Sequence, residues 1–139
     1  ETVSEFSISV TSLPAVSQAI ADALVQLCPD DIQLIPFDRF WNEKLNEKIQ
    51  GGPFSFVHVL SRQNSWESSR MKVSTITRPD GSTFETVGGV PRVVNAAALG
   101  TARIWRETRT NTVLCDGTVR EMLIATGCKG WRFGAVEVI

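Results

Sequence analysis

The chain contains one histidine, His58, in a segment whose side chains alternate with a period of two. This alternation predicts a strand on which His58 shares a face with Phe54, Phe56 and Leu60. Because imidazole titrates near neutral pH, a histidine among apolar neighbours can act as a general acid or base. The alternative interpretation is a structural imidazole, in the core or at its rim, satisfied by one backbone hydrogen bond.

A carboxylate near the end of the sequence is the second candidate for proton transfer. Period-two alternation places Glu137 on one strand face with Trp131, Phe133 and Ala135. Burial on an apolar face would raise the pKa of an unpaired carboxyl group and make it a useful acid or base. The alternative is a solvated carboxylate at a strand end, or one paired with an arginine.

Two further side chains are candidates for ligand contacts. Arg106 lies in a predicted strand and can clamp a carboxylate or balance Glu137. The alternative for the arginines of this strand is cross-strand pairing with Glu121 or Glu85, which contributes about 0.2–1 kcal/mol per pair. Trp66 lies in a polar segment, so its burial requires a ligand cavity, a subunit interface or an anchor to the core.

Composition and motifs exclude several classes of function. The sequence has no nucleophile-elbow, phosphate-loop or dinucleotide motif, and its single histidine comes without clustered carboxylates. We therefore expect no metal and no cofactor. The 14 basic and 15 acidic residues are dispersed and give a net charge of −1, which predicts no nucleic-acid partner.

Three cysteines at wide spacing, Cys28, Cys115 and Cys128, resemble neither a disulfide framework nor a zinc site. Buried free thiols in a reducing compartment are the expectation, with a structural disulfide as the alternative. No segment approaches the roughly 20 apolar residues of a membrane helix. We therefore predict a cytoplasmic protein with no membrane contact.

The elements that position these residues divide the chain into a helical first third and a strand-rich remainder. Apolar residues at helical spacing predict one helix over residues 15–27. A second apolar stripe, which begins after Pro36, predicts another helix that ends at Gly51-Gly52-Pro53.

Period-two patterns and turn residues predict strands over residues 54–61, 70–77, 83–87, 101–110, 118–126 and 131–139. The segment 90–99 is ambiguous between strand and helix. An Asp-Gly turn favours a strand over residues 118–126, but a capping-box pattern leaves a short helix ended by Gly127 as the alternative. With 139 residues and neither repeat nor linker, we expect one α+β domain spanning residues 1–139.

Three carboxyl-terminal segments form a recognisable series: Gly100-Thr101-Ala102-Arg103-Ile104-Trp105, Asp116-Gly117-Thr118-Val119-Arg120 and Gly130-Trp131-Arg132-Phe133. They are similar to the "G-x-A-x-[IV]" strand, "D-G" turn and terminal "G-W-R-[IF]" strand of the NTF2-like (SnoaL-like) superfamily, which this part of the chain resembles. The absence of tyrosine departs from the family's amino-terminal pattern. The resemblance implies amino-terminal helices packed on a curved antiparallel sheet, a cone whose mouth holds a small molecule.

The same resemblance implies a small-molecule-binding domain that acts as a cofactor-free isomerase, cyclase or dehydratase through acid–base chemistry. His58 and Glu137 would then be catalytic, and the substrate-binding residues would be Arg106, Trp66, Trp131 and Phe56. The alternative function is a non-catalytic interaction or assembly module, whose exposed sheet face forms a homodimer or docks a partner. A third hypothesis is a structural subunit of a larger particle, such as a phage-tail component. We expect a homodimer.

Overall fold

The computed structural model describes residues 3–7, 14–37, 41–48, 52–127 and 132–139, with only the backbone at residues 3–7, 41 and 42. The strands are β1 (Val3–Ser7), β2 (Ala15–Ser17), β3 (Ile32–Phe37), β4 (Trp41–Asn42), β5 (Glu47–Lys48), β6 (Phe54–Val59), β7 (Arg62–Gln63), β8 (Val73–Thr77), β9 (Thr83–Val87), β10 (Val93–Val94), β11 (Ile104–Glu107), β12 (Val113–Asp116) and β13 (Arg132–Val138). The helices are α1 (Gln18–Leu27) and α2 (Gly117–Ala125), with short 3-10 turns at Ser68–Arg70 and Ala96–Ala98. None of the described helices is long and apolar enough to cross a membrane.

The largest sheet has six strands in the order β10-β13-β1-β12-β11-β7. Its central pairs are antiparallel, whereas the short edge strands β10 and β7 run parallel to their neighbours. Ile104 lies opposite Cys115, and Trp105 lies opposite Leu114. Since side chains alternate along a strand, these two pairs point to opposite faces of the sheet. Every residue of β11 is buried, so both faces of the sheet are covered there.

One face carries what we call the helix-side core. It joins side chains of α1 and α2 to β11 and β12, and includes Leu24, Leu123 and Ile104. The opposite face carries what we call the tryptophan core, which consists of Trp66, Val94, Leu99, Trp105, Leu114 and Val136. Each core removes large apolar side chains from water, at about 25 cal/mol per Å² of apolar surface buried.

A three-stranded sheet, in the order β2-β6-β3, covers the helix-side core. Val57 and Val59 face inward and are buried in that core, as is Ile32 opposite Val59. The alternate residues of β6, Phe54, Phe56 and His58, face outward and are half-buried. The strand predicted over residues 54–61 is thus confirmed, with its small and β-branched side chains forming the inner face.

The predicted second helix is wrong in the residues that the structure describes. Residues 32–37 form β3, which pairs with β6 along its whole length, and β4 and β5 pair with each other further on. The apolar stripe after Pro36 therefore does not mark a helix face. Of the predicted helix, Phe37 belongs to β3, and the chain turns between β4 and β5 at Asn46, whose φ of 49° lies outside the right-handed helical region. The first predicted helix is shorter than expected, because its first three residues form β2.

The strand favoured over residues 118–126 is also wrong, because this segment forms α2. The Asp116 carboxylate accepts a hydrogen bond from the Val119 N–H at 2.8 Å, so Asp116 is the N-cap of the helix. Of the two interpretations left open, the short helix is the one observed. Residues 90–99 contain both predicted elements, first β10 and then the turn at Ala96–Ala98.

The expected architecture, amino-terminal helices packed on a curved cone-like sheet, is therefore wrong. The chain is α+β in general, but strands predominate and the two short helices lie far apart in the sequence. They meet across the helix-side core instead of forming an amino-terminal layer. The strands predicted over residues 70–77 and 83–87 are confirmed as β8 and β9, which pair antiparallel, and the terminal strand is confirmed as β13.

Candidate functional site

A buried carboxylate at the end of β11 ties two loops to the six-stranded sheet. Glu107 is 0% exposed. Its Oε2 accepts hydrogen bonds from the Ser65 N–H at 2.6 Å, the Ser65 hydroxyl at 2.9 Å and the Trp66 N–H at 3.1 Å. Its Oε1 accepts from the Arg109 N–H at 3.1 Å. Both oxygens are therefore satisfied by donors of the chain, as burial of a charge requires.

Two indole groups extend this polar network. Trp105 Nε1 donates to the Ser65 hydroxyl oxygen at 3.1 Å, and Trp66 Nε1 donates to the Thr110 hydroxyl oxygen at 2.9 Å. Trp66 is buried in the tryptophan core, so of its three expected roles the structure favours the anchor to the core. Ser65 is fully buried and donates its only hydroxyl proton to Glu107. This serine–carboxylate pair therefore holds a loop in place and is closed to substrate.

A second buried carboxylate, Asp31, has a similar structural role beside β3. Its Oδ1 accepts from the Ser61 hydroxyl at 2.6 Å, and its Oδ2 accepts from the Arg103 N–H at 2.8 Å. These bonds join the turn after α1 to the end of β6 and to the segment before β11. Its two oxygens are used in bonds between segments of the chain.

Cys28 and Cys115 are buried free thiols in the helix-side core, as predicted. Burial raises the pKa of Cys28 to about 12, and the Asp31 and Asp116 carboxylates add to the shift. Burial likewise raises the pKa of Cys115 to about 12, with a smaller contribution from Asp116. Both groups are protonated at neutral pH, so neither is a ready nucleophile. Cys128 lies outside the described residues.

The two residues predicted to be catalytic lie in different sheets and have different partners. His58 is on the outward face of β6, where its Nδ1 lies 3.3 Å from Gln33 Oε1. Glu137 is on β13 and forms an ion pair with Arg70 at 3.1 Å, in which both side chains are 48% exposed. The arginine pairing considered for this glutamate is therefore present. His58 and Phe56 do share one face, as their spacing predicts.

The remaining predicted ligand contacts are also dispersed. Arg106 is buried, and its Nη1 donates to the Asn111 carbonyl at 3.1 Å. Burial lowers the pKa of Arg106, and the nearby Arg62 lowers it further. Phe56 stacks on Phe37 with ring centroids 4.3 Å apart, on the outer side of the three-stranded sheet. Trp131 lies outside the described residues.

The ion pair with Glu85, considered for the arginines of the strand predicted over residues 101–110, is made by Arg109. Arg109 Nε and Nη2 contact the two carboxylate oxygens of Glu85 at 2.6 and 3.0 Å. This bidentate contact lowers the pKa of Glu85. Because Glu85 lies on β9, the pair fastens the β8–β9 hairpin to the loop that follows β11. Val87, at the base of the hairpin, also packs against the tryptophan core.

Two strand surfaces lie outside the two cores. The first, which we call the outer aromatic face, consists of Ile35, Phe37, Phe54 and Phe56. It lies on the outer side of the three-stranded sheet, and the Phe37 and Phe54 rings are 5.8 Å apart. The second is β8, whose last four residues are exposed.

The Glu107 network was missed in the sequence because its partners lie about 40 residues earlier in the chain. The only local signal is Glu107 itself, a charged residue two positions after the apolar pair Ile104-Trp105 at the start of β11. Within the described ranges, no group of three histidine, cysteine, aspartate or glutamate residues could hold a metal ion. Comparison with protein-family models, curated proteins and solved structures finds no match to this chain.

Proposed function

We propose that this chain is a non-catalytic assembly module that associates with a second copy of itself. The observation that carries the proposal is the presence of exposed strand surface free of charged side chains. The strand β8 fits this description, because its last four residues are exposed and none of its residues is charged. Exposed, uncharged strand surface is typical of regions that are covered by another chain.

The polar side chains support assembly over catalysis. Glu107 and Asp31 have their carboxylate oxygens occupied by bonds that hold loops and strands together. The acid–base hypothesis requires His58 and Glu137 to line one enclosed cavity within hydrogen-bond or one-water reach. Their different sheets and different partners favour structural roles for both residues.

The charge balance supports a second copy of the chain as the partner. With 14 basic and 15 acidic residues, the net charge is −1, so two copies meet without strong overall repulsion. A dispersed and balanced charge also provides little electrostatic steering toward a strongly acidic or basic partner. This agrees with the homodimer expected from the sequence.

Sedimentation equilibrium at several micromolar concentrations tests the proposal. We expect the apparent mass to rise with concentration toward twice that of the monomer, because self-association follows mass action. A strict monomer throughout this range would contradict the assembly function.

A further inference from the structure

We propose that two copies of the chain join through the open edge of β8, which pairs antiparallel with β8 of the second copy. This inference rests on the proposed self-association and names the surface that carries it. The resulting sheet has four strands, in the order β9, β8, β8 of the second copy and β9 of the second copy.

One edge of β8 is open in the described part of the chain. On one side, β8 pairs with β9 in continuous register, from Val73 opposite Val87 to Thr77 opposite Thr83. On its other side, β8 has no neighbouring strand in the part of the chain that the structure describes. An open edge of this kind presents a row of N–H and C=O groups that can pair with another strand.

The open edge of β8 lacks the features that usually protect an edge strand. Natural proteins usually block an exposed edge strand with a charge, a proline or a bulge. The sequence of β8, Val-Ser-Thr-Ile-Thr, contains no charged residue and no proline. Its continuous register with β9 leaves no room for a bulge. A strand left open in this way is suited to pairing with another chain.

The β8–β9 hairpin is attached to the rest of the chain mainly through β9. An isolated two-stranded hairpin is marginally stable in water, and three or more strands are usually needed. The structure fixes β9 through the Glu85–Arg109 pair and through Val87, whereas Ser74 to Thr77 of β8 stay exposed. Strand pairing between two copies supplies the missing neighbour. It leaves β9 on the outside of the four-stranded sheet.

The register follows from symmetry and charge. Two copies of β8 that pair antiparallel are related by a two-fold axis perpendicular to the sheet. Residues directly opposite each other have side chains on the same face, so the axis must lie between one residue and its own copy. An axis at Thr75 would place Lys72 opposite Arg78 of the second copy, which is an unfavourable pair of like charges. An axis at Ile76 places the two Ile76 side chains against each other and sets Thr75 opposite Thr77. Ile76 is 43% exposed in the single chain, so this contact buries apolar surface.

The test compares three lysine variants with the wild type by sedimentation equilibrium. Ile76→Lys sets two like charges opposite each other at the axis, so the dimer dissociation constant should rise by about tenfold or more. Val25→Lys is the matched control, because Val25 is an exposed β-branched residue of α1 with 44% exposure. Ile35→Lys probes the outer aromatic face, where Ile35 is 39% exposed. Both of these variants should dimerise like the wild type.

The outcomes separate the two proposals. If the wild type dimerises and Ile76→Lys dimerises equally well, the β8 inference is overturned while the assembly function stands. Loss of the dimer in Ile35→Lys alone would assign the interface to the outer aromatic face. A monomeric wild type would overturn both proposals.

Hydrogen exchange on the wild type gives a test that does not depend on a variant folding. Amides of residues 73–77 should exchange more slowly as the protein concentration rises, because pairing protects half of them from water. Unchanged exchange in this strand under conditions where the wild type is a dimer would overturn the β8 inference.

Discussion

Replacement of Glu107 with glutamine should strongly destabilise the fold. The variant keeps the size of the side chain but removes its charge. If the amide oxygen faces Ser65 and Trp66, their three donors keep an acceptor, but a weaker, uncharged one. The amide N–H₂ group then faces the Arg109 N–H, so two donors oppose each other. Hydrogen bonds to a charged group contribute about 1.5–3 kcal/mol each, against about 0.5–1.5 kcal/mol for neutral pairs.

The expected loss is partly offset, because a neutral amide costs less to bury than a carboxylate. After this offset, the weakened hydrogen bonds and the two opposed donors should lower the free energy of unfolding by about 2–4 kcal/mol. Since small domains are stable by about 5–15 kcal/mol, urea unfolding followed by tryptophan fluorescence will resolve this loss. All variants should be compared at one protein concentration, because self-association adds to apparent stability.

Glu137→Gln is the matched control for this experiment. It makes the same chemical change in an ion pair with Arg70 that is about half exposed. Exposed pairs contribute about 0–1 kcal/mol, so this variant should stay close to the wild type. If Glu107→Gln costs no more than Glu137→Gln, the structural role assigned to Glu107 is wrong.

Three further predictions concern the ion pair, the thiols and the helix cap. Because Arg109 lowers the pKa of Glu85 below the ordinary 4.5, the contribution of this pair to stability is present above that pH. It is lost as the pH falls through the lowered value, and Glu85→Gln should remove this acid-sensitive part of the unfolding curve. Cys28 and Cys115, whose pKa values are raised to about 12, should resist iodoacetamide at neutral pH in the folded protein and react after denaturation. Peptide mass spectrometry measures this labelling, and labelling in the folded state would contradict the burial of the two thiols. Asp116→Ala should cost about 0.5–2 kcal/mol in urea unfolding through loss of the helix cap, and an unchanged midpoint would contradict that role.

Local chemistry explains which parts of the fold could be predicted. The β8–β9 hairpin follows from two alternating runs and a turn with proline and glycine, so nearby residues suffice to define it. The strand β6 has similarly clear alternation. By contrast, β3 depends on pairing with β6, which begins about 20 residues further along the chain. The strand β3 was not predicted, because the signal from its partner β6 is invisible to a window of ten residues.

The segment after Asp116 shows how one dipeptide supports two structures. Asp-Gly favours a hairpin turn, but the same aspartate can cap a helix by accepting an N–H from three residues later. The observed bond to Val119 selects the helix. Both interpretations are locally consistent, and in the observed helix Val119 and Leu123 are buried in the helix-side core.

The polar network could not be predicted, because its members come from distant parts of the sequence. Glu107 meets Ser65 and Trp66 only after β7 and β11 pair in parallel, through two residues on each strand. Such short parallel pairs leave almost no trace in hydrophobic periodicity. Strand pairing between distant segments also decides where His58 and Glu137 lie. The sequence therefore suggested proton-transfer roles for both residues but could not show that they belong to different sheets.

The oligomeric state of the wild-type chain in solution tests the central claim most directly. Sedimentation equilibrium at micromolar concentrations should show a monomer–dimer equilibrium that Ile76→Lys shifts toward the monomer and Val25→Lys leaves unchanged. A wild type that stays monomeric over the whole range would contradict the assembly function.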